Sequence, residues 1–281
     1  MATQLLIYRN VQPITRDKHG ELYLKAGKDF VFAKDVNSVP LMAAEFPAAA
    51  SDLPIVFTNA EDNGVLPVAV LGIERDSNLM VDEDNRWQGE YVPAFFRRYP
   101  FVFASSAEGQ TFTLCIDEDY EGINSDGRGE RLFDADGEQT QYLSRVLSFL
   151  QDYQAHFQRT RTFCRRLVEL DLLESVEAQV RLPEGGRRTL TGFKAINRNK
   201  LKELSAEQLQ TLMNNDELEL IHIHLQSMRN FNRLTRLAKG GAAQDTQAKP
   251  DPATDEDTAS GEVAPANNAS SSDKDNNSLL H

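Results

Sequence analysis

One stretch of the chain places aromatic rings beside two adjacent arginines. It covers residues 87–103 and includes the only tryptophan. Five of its side chains could contact a ligand: Trp87, Tyr91, Arg97, Arg98 and Tyr99. Aromatic faces stack on flat groups, and a guanidinium forms paired hydrogen bonds with a carboxylate or another anion. The stretch therefore predicts a surface that binds a ligand or partner, with core packing of the same rings as the alternative.

Two histidines separated by one residue form a second candidate site. On a strand, His222 and His224 would point to one face and could share a metal ion. On a helix they diverge by about 200°. The apolar residues around them continue at three-residue steps to Leu237, which favours the helix. We therefore predict no metal and no cofactor, and expect one of the two histidines to face the same cleft as the arginines.

Sequence motifs of common catalytic sites are absent. The chain has no HExxH, CxxC, GxSxG or GxGxxG pattern. Residues 134–138 resemble the start of a calcium loop, but the residue at position twelve is Arg145 instead of glutamate, so an acidic turn is predicted. An enzyme that uses His222, His224 and the acids near Asp134 for acid–base chemistry stays open as an alternative.

The elements that must position these residues change in type near residue 138. Before it, short apolar or alternating runs predict strands, at residues 23–32, 55–57, 65–72 and 112–116. Residues 40–50 predict one or two helical turns that Pro47 interrupts.

Beyond residue 138 the sequence is mainly helical. Apolar steps of three and four predict one long helix over residues 140–174. A hairpin follows, with strands at 176–182 and 189–193. Ser205 and Gln208 form a capping-box pattern that starts another helix, and residues 214–216 separate it from the last one. The predicted fold class is α+β: a β-rich N-terminal part, then a long helix, a hairpin and a helical C-terminal part.

Charge limits the classes of partner. The chain of 281 residues has 30 basic and 43 acidic side chains, a net charge of −13. Nucleic acid and anionic membranes repel such a protein, and no run of about 18 apolar residues could span a bilayer. Residues 240–281 hold two basic side chains, eight acidic ones and no aromatic ring, which predicts a disordered acidic tail. The preceding residues 1–239 are predicted to form one globular domain, β-rich over 1–138 and mainly helical over 139–239.

The N-terminal residues do not form a secretory signal, because no basic segment precedes their short apolar run. This predicts a cytoplasmic protein; export by an uncleaved C-terminal signal that ends in Leu279 and Leu280 is the alternative. Cys115 and Cys164 lie in apolar patterns and are predicted to be buried, reduced thiols.

Four blocks of the sequence, in order, resemble the SapC family of bacterial proteins. They lie within residues 32–47, 53–79, 87–101 and 218–230. The most specific is the third, where Trp87 precedes Tyr91-Val92-Pro93-Ala94-Phe95-Phe96-Arg97-Arg98-Tyr99-Pro100-Phe101. The resemblance covers about residues 25–237 and leaves out the acidic tail.

What this resemblance implies about function is narrow. It supplies no catalytic residues, and the family name comes from a bacterial surface-layer locus. We therefore expect a non-catalytic binding or accessory protein whose partner is an unidentified small molecule or protein. A structural surface-layer component is the alternative that the family name suggests.

Overall fold

The computed structural model describes residues 6–27, 29–60, 64–105, 111–181 and 187–240. These residues belong to one compact unit. Residues 241–281, which hold nearly all of the predicted acidic tail, lie outside the described residues. So does the turn of the predicted hairpin, residues 183–186.

Strands dominate the first half of the chain, as the sequence predicts. In chain order they are β1 (Val11–Pro13), β2 (Tyr23–Leu24), β3 (Ser38–Pro40), β4 (Ile55–Asn59), β5 (Val65–Val70), β6 (Phe101–Ser105), β7 (Phe112–Asp117), β8 (Ile123–Asn124), β9 (Glu130–Arg131), β10 (Leu173–Arg181) and β11 (Arg187–Ile196). The predicted strand over residues 23–32 is wrong beyond Leu24, since Val31–Ala33 forms a single 3-10 turn.

The strands form three antiparallel sheets. The five-stranded sheet has the order β10-β11-β4-β5-β3, and the two smaller ones have the orders β1-β7-β6 and β8-β2-β9. In the large sheet, Ile55 pairs with Ala69 and Phe57 with Pro67. Ile55 and Phe57 are fully buried, so β4 lies at the centre of the main hydrophobic core. The continuous apolar sequence of β5 fits this buried position.

Eight helices complete the described residues: α1 (Arg16–His19), α2 (Phe46–Ala49), α3 (Ala94–Arg97), α4 (Gln141–Glu169), α5 (Arg198–Lys202), α6 (Ala206–Asn214), α7 (Glu217–Ser227) and α8 (Phe231–Ala238). Pro47 lies in the first turn of α2 and does not interrupt it. The missing N–H of proline has no cost there, because that N–H makes no bond inside the helix. The α+β fold class is confirmed.

The long helix α4 is confirmed but ends five residues earlier than predicted. Its buried residues are Leu143, Leu150, Tyr153, Thr160, Phe163, Cys164 and Leu167. After Glu169 the chain takes a left-handed conformation at Asp171, with φ 51°, and β10 begins at Leu173. The sequence also placed Val168 in the apolar stripe of α4, whereas its side chain is 47 % exposed.

The helical C-terminal part contains one more break than predicted. Ser205 and Gln208 form the expected capping box at α6, and Asp216 separates α6 from α7 with φ 58°. A 3-10 turn at Met228–Asn230 then separates α7 from α8. Asn230 explains the break, because its side-chain amide donates hydrogen bonds to the carbonyls of Ala50 and Leu53.

Candidate functional site

A cavity of about 620 Å³ forms the aromatic cleft of the protein, beside α3 and the first half of α4. Short elements shape it: β2, the 3-10 turn after β2, and the start of β6. Eight aromatic rings from distant parts of the sequence line it: Phe30, Phe32, Phe96, Tyr99, Phe101, Tyr120, Tyr142 and Phe149. Tyr99 stacks on Phe32 with 4.3 Å between ring centroids. These two rings therefore already form one wall of the cleft in the absence of a ligand.

Arg97 is one of two exposed arginines in the cleft wall, and Arg145 on α4 is the other. Arg97 ends α3, and its Nε donates a hydrogen bond to the Val92 carbonyl at 3.1 Å. One terminal N–H group donates to the Tyr91 hydroxyl at 3.1 Å, and the guanidinium carbon lies 5.5 Å from the ring centroids of Tyr91 and Phe149. Arg97 forms no ion pair with any described residue, and the two bonds use only two of its five N–H donors.

A buried carboxylate fixes the position of Arg97 through Tyr91. Glu45 is 7 % exposed, and one of its oxygens accepts hydrogen bonds at 2.7 Å from the Tyr91 hydroxyl and the Ala94 N–H. Its other oxygen accepts the Met42 N–H at 2.7 Å. Burial, and then the Glu45 charge, raise the pKa of Tyr91, so the hydroxyl stays protonated. It donates to Glu45 and accepts from Arg97.

The neighbouring Arg98 points inward. It is 3 % exposed, and its guanidinium carbon lies 4.4 Å from the ring centroid of Phe95 and 5.0 Å from that of Tyr153. Arg98 borders the inner wall of the cleft and packs among rings. Arg98 is therefore buried at the inner wall while Arg97 is exposed, and contact of either arginine with an anion stays a prediction.

The two other aromatic candidates have different positions: Tyr99 lines the cleft, and Trp87 supports residues beside it. Tyr99 lines the cleft, with its hydroxyl 3.4 Å from a carboxylate oxygen of the buried Asp117. Trp87 packs against Phe30 and Phe96, and its indole N–H donates to the Tyr91 carbonyl at 2.9 Å. Trp87 therefore holds the backbone of Tyr91 in place from outside the cavity lining.

The two histidines lie elsewhere. Both are on α7, where His222 is exposed and His224 is fully buried. The Nε2 atom of His224 accepts the Ile196 N–H at 3.1 Å, and burial lowers the pKa of His224 to about 4. The described residues that line the cleft include neither histidine, so the expectation that one faces it is wrong. The helical geometry also separates them from each other, as predicted.

A second cavity, of about 280 Å³, lies on the other side of Arg97 and Phe149. It is also lined by Glu45, Asp152, Tyr153 and His156, among others. The sequence analysis did not single out these residues. Helical spacing could have indicated some of them, because Arg145, Phe149, Asp152 and His156 follow steps of four, three and four and so share one face of α4.

No group of three or more histidine, cysteine, aspartate or glutamate side chains is arranged to hold a metal ion within the described part of the chain. Among the described helices, none has the length and apolar character needed to cross a membrane.

Comparison with known proteins assigns the family. The SapC family model matches residues 14–234, which is most of the chain and includes β2 to α7 with the whole aromatic cleft. The chain belongs to the SapC family. Neither the curated proteins nor the solved structures include a match.

Proposed function

We propose that this SapC-family protein is a non-catalytic binding protein whose aromatic cleft takes a small, mainly apolar anion. One observation carries the proposal. Arg97 and Arg145 both line the cleft, and neither forms an ion pair with a described carboxylate. The lining also contains the carboxylates of Asp29 and Glu130, and with the buried Arg98 its three guanidinium groups outnumber them. In a chain with an excess of acidic side chains, this local excess of positive charge favours an anionic ligand.

The dimensions of the cleft support a small molecule. Its volume of about 620 Å³ lies within the range of roughly 300–1,000 Å³ that is typical of small-molecule sites. Apolar side chains, eight of them aromatic, form most of the wall, which also carries a few charged groups. Such a composition suits an apolar body that ends in one charged group.

The fixed position of Arg97 also favours binding. Hydrogen bonds from Arg97 to Tyr91 and Val92 hold its side chain before any ligand arrives. Binding then loses less side-chain entropy than it would with a mobile arginine. Because Arg97 is exposed, solvent weakens its attraction, and we expect its contact with a carboxylate to contribute about 1–2 kcal/mol.

Calorimetric titration with 2-naphthoate tests the proposal. We expect saturable binding with one site, and a dissociation constant at least about fivefold weaker for Arg97→Gln, which corresponds to about 1 kcal/mol. Arg145→Gln should weaken binding in the same direction. Arg159→Gln is the matched control, because Arg159 is exposed on the same helix and lines neither cavity.

Two results would contradict the proposal. One is a wild-type protein that does not bind 2-naphthoate or any other apolar carboxylate of similar size. The other is a dissociation constant that changes equally in Arg97→Gln and Arg159→Gln. The second result would mean that net charge, and not the cleft, determines binding.

The cytoplasmic location stays a prediction, as does the accessory role in the cell. Fractionation of the native host, with immunodetection of the protein in cytoplasm, envelope and medium, tests both this location and the surface-layer alternative. Protein confined to the cytoplasm supports binding of an intracellular ligand. Protein in the envelope or medium that assembles into ordered arrays would support the alternative.

A further inference from the structure

The second cavity combines opposite charges in a small volume. Arg97 supplies a positive charge at one wall, while Glu45 and Asp152 supply two carboxylates. We propose that this cavity binds a small zwitterion, an α-amino acid with an apolar side chain. The proposal goes beyond the cleft and does not depend on what the cleft binds.

The Tyr153 hydroxyl is available to a ligand in this cavity. Tyr153 is 6 % exposed and lines the cavity, and its hydroxyl makes no hydrogen bond with any described residue. The hydroxyl oxygen is not among the fully buried atoms that lack a partner, so it borders the cavity, where water or a ligand can form a hydrogen bond with it. Burial raises the pKa of Tyr153 to about 12, so the group keeps its proton and can donate it to a carboxylate.

The carboxylates have acceptor capacity left. One oxygen of Glu45 accepts two hydrogen bonds, but the other accepts only the Met42 N–H. Asp152 is exposed at the mouth of the cavity and forms no ion pair with the described residues. Each carboxylate oxygen can accept about two hydrogen bonds, so an ammonium group would find acceptors on both residues.

The charge pattern selects a zwitterion over either ion alone. A simple amine would meet the Arg97 guanidinium, and a simple carboxylate would meet Glu45 and Asp152. Like charges oppose binding, most strongly at the buried Glu45, whereas solvent weakens the effect of the exposed Arg97 and Asp152. A molecule that carries both groups can place its carboxylate near Arg97 and Tyr153 and its ammonium near Asp152 and Glu45.

The size of the cavity limits the side chain. Its volume of about 280 Å³ equals about nine water molecules, at roughly 30 Å³ each in the liquid. Leucine has about the same number of non-hydrogen atoms. Met42 and Phe149 line the same cavity and offer apolar contacts for an aliphatic side chain.

Three matched probes test the proposal: L-leucine, 3-methylbutylamine, which lacks the carboxylate, and 4-methylpentanoate, which lacks the ammonium. The imidazole NMR signals of His156 report on this cavity, because His156 lines it. They are assigned by their loss in His156→Gln. We expect L-leucine to shift these signals saturably, and both analogues to bind at least tenfold more weakly.

Variants then assign the binding groups. Asp152→Asn removes one exposed charge, and we expect it to weaken L-leucine binding at least fivefold. Tyr153→Phe removes only the hydroxyl and should also weaken binding. Glu169→Gln is the control, since Glu169 is an exposed acid on the same helix and lies outside the cavity lining. Should Tyr153→Phe fail to fold, the comparison of Asp152→Asn with Glu169→Gln still decides the question.

Three outcomes would overturn the inference. They are no saturable shift with L-leucine, equal binding by either singly charged analogue, and unchanged L-leucine binding in Asp152→Asn. Arg97 lines both cavities, whereas Arg145 lines only the cleft and Asp152 only the second cavity. The effect of Arg145→Gln on 2-naphthoate binding therefore tests the cleft, and the effect of Asp152→Asn on L-leucine binding tests the second cavity. Either proposal can therefore fail while the other stands.

Discussion

Replacing His224 by glutamine will reduce the loss of folding stability at acidic pH. His224 is fully buried on α7, and its Nε2 atom accepts the backbone N–H of Ile196. This acceptor must be unprotonated, so the folded protein requires a neutral imidazole. A glutamine side chain offers a carbonyl oxygen as a replacement acceptor but does not titrate.

The expected magnitude follows from the two pKa values of His224. Burial lowers the pKa from 6.5 in the unfolded chain to about 4 in the folded protein. Between these values the unfolded state binds more protons, so the free energy of unfolding falls as pH falls. The contribution is absent above about pH 7.5, and the loss reaches about 2.5 kcal/mol at about pH 4.5.

Urea unfolding of the wild type and His224→Gln at a series of pH values is the assay. Other titrating groups are common to both proteins, so the difference between their unfolding free energies isolates His224. We expect this difference to change by about 2–3 kcal/mol over that range. His222→Gln is the matched control, because His222 is exposed on the same helix. Parallel curves for wild type and His224→Gln would refute the reasoning.

Three further predictions concern buried groups and close contacts in the fold. Glu45→Gln should lower the free energy of unfolding by about 1–3 kcal/mol, since an amide N–H₂ cannot accept the buried hydrogen bonds; urea unfolding measures this. Gly72→Ala should be strongly destabilising or fail to fold, because a Cβ atom there would lie 1.7 Å from the Ser77 carbonyl oxygen, and a near-wild-type thermal midpoint would contradict this. Burial raises the pKa of both Cys115 and Cys164, the latter to about 12, so a disulfide reagent should label neither thiol until the protein is unfolded.

The sequence predicts the main helices and the central strands well, because their signals are local. The stripe of α4 and the capping box at Ser205 need only nearby residues. The early end of α4 depends on the left-handed Asp171, and the break before α8 depends on contacts of Asn230 with Ala50 and Leu53. These contacts join residues far apart in the sequence, and no local pattern reveals them.

The candidate site likewise has some residues that a local sequence pattern reveals and others that only the fold brings together. The aromatic and arginine-rich stretch is visible in the sequence, and two of its residues, Arg97 and Tyr99, line the cleft, while Tyr91 contacts Arg97. Ligand binding by these residues stays a prediction. The sequence cannot tell which of two adjacent arginines faces out, because consecutive helical residues differ by about 100° and the axis of a short helix is set by its packing. Glu45, which fixes the position of Tyr91, lies 46 residues away in the chain, so only the fold brings it to the site.

The coupling between Arg97 and the charge of the ligand tests the central claim most directly. Calorimetry with 2-naphthoate and its neutral analogue 2-naphthamide, each on the wild type and on Arg97→Gln, gives this coupling as a double difference of binding free energies. The cleft proposal predicts at least about 1 kcal/mol in favour of the pair of guanidinium and carboxylate. A coupling near zero would show that Arg97 does not contact the anionic group, and would contradict the proposal.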